Sequence, residues 1–184
     1  MARLYLVRHG RAAGSYGEDA DPGLDELGRT EAEAVAQKLS TLKPLRLLTS
    51  PMKRTRETAL PLERLWRRDA IVEDAVGEIP SPQGLSLPER VHWLRGFMGT
   101  SWRDAEMALA QWRENLIATL AAQTEDSVIV THYIAINAAA GAALGDDRVV
   151  VFSPDNCSVT VIEAVKRKLA LIERGHEAPL TKVN

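Results

Sequence analysis

Cysteine is nearly missing from this chain: Cys157 stands alone among 184 residues. One thiol makes no intramolecular disulfide, and no metal-ligand spacing surrounds it, so a disulfide scaffold is excluded and a reducing cytoplasm fits. A surplus of either charge is missing too, since 23 Lys and Arg face 25 Asp and Glu for a net charge of -2. That balance gives no global attraction to nucleic acid or to an anionic membrane, and any anion site must be local. Long apolar runs are also absent. The stretch Leu4 to Val7 near the start is too short for a signal-peptide core or a membrane span. No internal repeat or low-complexity tract occurs. Gly10, Gly14 and Gly17 lack the spacing of a phosphate-cradling loop, and no Walker A or metalloprotease motif exists, which removes nucleoside-triphosphatase and zinc readings.

What remains is ordinary globular material, 45% hydrophobic and 26% charged. It is enough for one domain over residues 1–184, with a cap excursion at about 75–101, where prolines and glycines interrupt the pattern around one short helix. Leu4–Val7 is apolar on successive residues, as a strand covered on both faces is, and Leu45–Leu48 and Ser127–Val130 are further short apolar strands. Helical spacing marks Asp25–Leu39, a helix from Pro51 to about Trp66 with Ser50 as N-cap, one from Trp102 to Leu120, and a small-residue helix Ala135–Leu144. Further strands are expected at Val149–Phe152, Ser158–Glu163 and Leu169–Glu173. Strands alternating with helices predict an α/β fold, a three-layer α/β/α sandwich with a mostly parallel sheet and a small cap excursion.

In such sheets the site lies beyond the carboxyl ends of the strands. His9 follows the first strand, the Ser50-Pro51 helix start follows the second, and His132 follows the third. Arg8 and Arg54 arrive at the same edge. Two imidazoles, two guanidiniums and a helix start form an anion site with a nucleophile available, and phosphate is the anion they suit. A neutral imidazole can attack phosphorus and hold the phosphoryl group. The second can donate to an equatorial oxygen. A leaving alkoxide needs a proton, for which Glu78 in the excursion is the candidate, with Glu73, Asp74 and Glu89 as rivals. His92 and His176 carry no motif and are expected at the surface. Arg64, Arg67 and Arg68 fall where positive charge complements a helix C-terminus.

Four blocks, Leu-Val-Arg-His-Gly at 6–10, Leu-Asp-Glu-Leu-Gly-Arg-Thr-Glu-Ala at 24–32, Ser-Pro-Met-Lys-Arg-Thr-Arg-Glu-Thr-Ala at 50–59 and Val-Thr-His at 130–132, carry a resemblance. In that order they resemble the histidine phosphatase superfamily, also called phosphoglycerate mutase-like. The resemblance implies that His9 is the phosphorylated nucleophile, that Arg8, Arg54 and His132 form the phosphate pocket, and that Glu78 in Val76-Gly77-Glu78-Ile79 is the acid. It implies no metal and no cofactor. Asn156 sits where relatives often have an Asn and receives no catalytic role.

Departures from the family pattern are specific. Arg11 replaces the acidic residue that often follows Arg-His-Gly, no Asn lies between residues 11 and 20, with Ser15 as the substitute phosphate contact, and no aromatic-acidic trailer follows Glu78. The function expected is a cytoplasmic, metal-independent phosphatase hydrolysing phosphomonoesters through a phosphohistidine on His9. The alternatives are a phosphoglycerate mutase-type phosphotransferase, or a protein phosphatase acting on phosphohistidine or phosphoserine. The partner is a small phosphorylated substrate or a phosphoprotein, not nucleic acid or membrane, and the sequence is silent on oligomeric state.

Overall fold

Apolar residues on successive positions leave a strand no wet face, and the sheet is built accordingly. The structure, a computed structural model, describes residues 1–14 and 19–178. In β1 (Ala2–Arg8) Leu4 and Leu6 enter one core cluster and Val7 the other. In β2 (Arg46–Thr49) Leu48 and Leu47 divide the same way, and in β4 (Ser127–Thr131) Ile129 opposes Val128 and Val130. Period-two alternation thus feeds two cores, one on each face.

The six-stranded sheet has the order β3-β2-β4-β1-β5-β6, where β3 is Ile71–Val72, β5 Val159–Val165 and β6 Lys168–Glu173. β3, β2, β4 and β1 are parallel, and β5 and β6 add an antiparallel flank. One face is covered by α1 (Glu26–Leu39) and α2 (Lys53–Trp66) through Val35, Ala36, Leu39, Ala59, Leu62 and Trp66. The other is covered by α4 (Met107–Ala121) and α5 (Tyr133–Leu144), with α3 (Leu87–Met98) laid outside. This is the expected three-layer α/β/α arrangement. No helix among the described residues is long and apolar enough to cross a membrane.

Three expectations need correction. α2 starts at Lys53, not Pro51, and Met52 rather than Ser50 precedes it. The Lys53 N–H is met instead by the Asp21 carboxylate at 2.9 Å, so the helix start is capped from a distant loop. Trp102 lies outside the long helix, in a short 3₁₀ turn Trp102–Asp104, because its N–H is drawn to the Asp147 carbonyl and Ser101 bridges to Arg148. Val149–Phe152 forms no strand. The buried Asn137 side-chain oxygen accepts from the Val151 and Phe152 N–H groups at 2.8 and 3.1 Å, giving this irregular backbone a partner that a ladder would otherwise supply.

Register places the chemistry. Arg8 pairs with Thr131 across β1 and β4, so His9 and His132 leave adjacent strands at the same level. Thr49 pairs with Val130, which brings Ser50 alongside Thr131.

Candidate active site

His9 is held by backbone before its ring is considered: its N–H donates to the Thr131 carbonyl at 3.0 Å. Its Nδ1 lies 2.8 Å from the Gly10 carbonyl. A carbonyl only accepts, so Nδ1 carries the proton and Nε2 is left with the free lone pair. That Nε2 accepts from Arg54 Nε at 3.2 Å. Burial first, then the charges of His132, Arg54 and Arg8, lower the His9 pKa well below its ordinary 6.5. At neutral pH the ring is uncharged, the form a nucleophile requires.

Arg54 is 3% exposed, in the first turn of α2. Its Nη2 donates to Glu78 Oε2 at 3.2 Å, and the same oxygen lies 3.3 Å from His132 Nδ1. His132 is fully buried, and its Nε2 is 2.8 Å from the Ser50 hydroxyl. The two imidazole centroids are 5.3 Å apart. Burial pushes the Glu78 pKa up, but His132, Arg54 and His9 outweigh it and hold the carboxyl far below its usual range. Burial also lowers His132, against the pull of Glu78. Glu78 is therefore the anion that Arg54 and His132 share.

Arg8 reaches the edge from the other side. Its Nη1 donates to the Pro154 carbonyl at 2.8 Å and its guanidinium lies 5.1 Å from the Tyr133 ring centre. Arg8 Nε and Arg54 Nη1 are buried without a hydrogen-bond partner among the described residues. Orphaned guanidinium N–H groups at a buried edge are costly unless an anion meets them.

The structure brings together Arg8, His9, Arg54, Glu78 and His132. It parts Glu78 from its rivals: Glu73 accepts from Ala75 N–H, Asp74 is exposed, and Glu89 accepts from the Ser86 backbone at the start of α3. His92 and His176 are exposed, as expected. Arg64 pairs with Glu33 of α1, while Arg67 closes α2 in a left-handed conformation and Arg68 donates to the Leu45 carbonyl. Ser15 lies outside the described residues. The half-buried Asn156 has its N–H on the Asp155 carboxylate.

Sequence reasoning missed Ser50 as partner of His132, Thr58 beneath Gly10, and Asp21 at the helix start. The Ser50 hydroxyl accepts from the Met52 N–H at 3.3 Å and also meets the imidazole, a contact its place at the helix start does not signal. Thr58 lies within the quoted block at 50–59, which was the one available signal. No group of three or more His, Cys, Asp or Glu among the described residues is arranged to hold a metal ion.

Comparison with known proteins bears on the family and the fold. Phosphoserine phosphatase 1 of Hydrogenobacter thermophilus is 37% identical over 83 residues, a match spanning 43% of this chain and 39% of that protein. A mycobacterial glucosyl-3-phosphoglycerate phosphatase shares the fold with a TM-score of 0.73 at 23% identity, covering 96% of this chain and 100% of that one. YhfR of Bacillus stearothermophilus superimposes with a TM-score of 0.77 at 18% identity, over 97% of this chain and 98% of that one. The model of the histidine phosphatase superfamily, branch 1, matches residues 4–175, and the chain belongs to that family.

Proposed function

We propose that the protein is a metal-independent phosphatase that hydrolyses small alkyl phosphomonoesters through a phosphohistidine on His9. The observation that carries this reading is the pair of buried guanidinium nitrogens without a hydrogen-bond partner among the described residues, Arg8 Nε and Arg54 Nη1, beside an uncharged imidazole whose Nε2 is unprotonated and accepts from Arg54 Nε. In the first step His9 Nε2 forms a bond to phosphorus while the phosphorus–oxygen bond to the alcohol breaks. Arg8, Arg54 and His132 hold the non-bridging oxygens. Glu78 gives its proton to the departing alkoxide. In the second step water attacks the phosphohistidine, Glu78 takes back a proton, and His9 and inorganic phosphate are released.

Glu78 is ionised where it stands, and the substrate itself corrects this. A phosphate dianion between Arg54 and His132 draws the positive charge that stabilises the carboxylate, and its own charge repels it, so the Glu78 pKa rises on binding. Substrate then binds together with a proton.

Phosphoserine and glucosyl-3-phosphoglycerate, in the names of the two relatives, are both alkyl phosphomonoesters, which supports this substrate class. Water as acceptor is supported by α3, which has no buried residue and lies loosely over the core instead of sealing it. A cytoplasmic location is supported by the free, half-buried Cys157, whose pKa burial raises.

The test is a panel of phosphomonoesters, phosphoserine included, scored for phosphate release with a rapid acid-free quench. The expected result is release from an alkyl phosphate and a protein-bound phosphoryl group that is labile to acid and stable to base. Rapid, primer-dependent conversion of 3-phosphoglycerate to 2-phosphoglycerate with negligible phosphate release would make the protein a mutase.

A further inference from the structure

His9 points its proton at Gly10, and Gly10 is held from three sides. The Thr58 hydroxyl gives its one proton to the Arg54 carbonyl at 2.6 Å, so it can only accept from the Gly10 N–H, 3.0 Å away. On the far side of the same residue, the peptide that carries the Gly10 carbonyl has its N–H, on Arg11, bound to Glu31 Oε2 at 2.8 Å. The third side is steric. A Cβ on Gly10 would stand 2.6 Å from the Gly28 carbonyl oxygen, so the first turn of α1 presses directly on this backbone.

Each bond has only one possible direction. An N–H donates, a carboxylate and a carbonyl accept, and the threonine proton is already committed. The chain from the Arg54 carbonyl through Thr58 to Gly10, and from Glu31 through the Arg11 peptide to the Gly10 carbonyl, therefore ends on a fixed acceptor for His9 Nδ1. Donating its N–H to Glu31 polarises that peptide and strengthens the carbonyl as acceptor. An imidazole whose Nδ1 proton is held in this way keeps its lone pair on Nε2.

We propose that Thr58 and Glu31 are positioning residues for His9: by clamping Gly10 they fix the tautomer and ring direction that leave Nε2 ready for phosphorus. Neither touches the reacting atoms. Thr58 is 2% exposed, packed under the site, and joins the two guanidinium-bearing elements, the end of β1 and α2, through a single hydroxyl. The inference rests on His9 being the nucleophile.

Thr58→Val keeps the shape and removes the hydroxyl, and Thr58→Ser restores it. Single-turnover phosphorylation of His9 in Thr58→Val should slow by about 10- to 100-fold, the scale of a misaligned reacting group, while the inhibition constant of inorganic phosphate stays within about twofold because Arg8 and Arg54 remain. Thr58→Ser, which restores the acceptor, should recover most of the rate, and Glu31→Gln, which keeps one, should retain most of it. Nitrogen-15 spectra of the imidazole give a readout independent of turnover: in the unsubstituted protein His9 should carry its proton on Nδ1, and in Thr58→Val a mixture of tautomers. A wild-type rate with an unchanged His9 spectrum in Thr58→Val overturns the proposal, as does a proton on Nε2 in the unsubstituted protein, a measurement that needs no variant to fold. A protein whose His9 spectrum responds as stated but which never carries phosphate on histidine would refute the phosphatase reading and leave the clamp standing.

Discussion

At the carboxyl edge of the sheet, Ser50, Arg54, Thr58 and His132 are between 0% and 3% exposed, whereas α3 in the excursion has no buried residue. The first region is fixed by things that cannot slide: parallel registers, backbone hydrogen bonds into the His9 turn, and charges that need one another. The second is held by half-buried aromatics on the buried Trp102, with Trp93 stacked on Phe97 at 5.7 Å and Phe97 edge-on to Trp102 at 5.5 Å. Rigid chemistry below and loose apolar contact above divide the labour: the edge can set what bond is broken, and the excursion can set which molecule presents it. Glu78 belongs to the excursion by sequence but to the edge by contact. Thr131 ties it there, its hydroxyl donating to the Val76 carbonyl at 2.6 Å, two residues before the carboxylate.

Substitution at the edge should therefore be felt in the chemical step on every substrate. His9→Ala is the extreme case and should abolish both turnover and the acid-labile phosphoryl label. Retained turnover, or a label that moves to a serine, would end the division proposed between the two regions. Glu78→Gln comes next, with a loss of about 100- to 10,000-fold on an alkyl phosphate, the usual span for a general acid. An aryl phosphate, whose phenolate leaves unaided, should be far less affected. Equal losses on both would show that Glu78 serves binding rather than proton transfer.

What the sequence reveals follows the same division. β1, β2 and β4 are legible because both faces of each are largely buried, which writes a short, mostly apolar run. Arg8, His9 and His132 are legible because each ends or closely follows such a run, and Arg54 because it sits in the first turn of the helix after one. The two-residue β3 is too short to carry a period. The cap role expected of Ser50 is filled at α2 by Asp21, a carboxylate from a remote loop, while the Ser50 hydroxyl meets an imidazole from another strand. Val149–Phe152 is apolar enough for a strand, but its backbone finds a side-chain amide 14 residues away in Asn137. Partners distant in sequence leave no local pattern.

Acid should expose the cost of keeping imidazoles neutral at the edge. His9 and His132 both have pKa values lowered in the folded protein from an ordinary 6.5. Between the folded and unfolded values the unfolded chain binds more protons, so stability rises with pH through that window. It is fully present above about pH 6.5 and declines as pH falls below it. The urea midpoint should fall on going from about pH 7 to about pH 5, and in His9→Ala that fall should be smaller. Phosphorylation of His9 should by contrast persist below pH 6.5, since the ring stays neutral there. An acid limb in the single-turnover rate at or above 6.5 would show a His9 that is not shielded as the geometry requires.

The smallest effect should come from the excursion, and it should be of a different kind. Trp93 lines an open groove of about 600 Å³ with Pro82, Leu85, Pro88, Glu89 and His92. It touches none of the edge residues through a hydrogen bond, so Trp93→Ala leaves the registers, the charges and the His9 tautomer in place. Surface and half-buried changes away from such features alter stability little, and the rate on a small aryl phosphate should stay within about twofold, the scale of 0.5 kcal/mol. A substrate with an apolar body beyond its phosphate should instead lose affinity, seen as a rise in KM with kcat unchanged, because the lost contact is the same in the ground state and the transition state. If Trp93→Ala lowers kcat on both substrates alike, the excursion takes part in aligning the reacting atoms, and the boundary between rigid edge and loose cover must be redrawn to include α3.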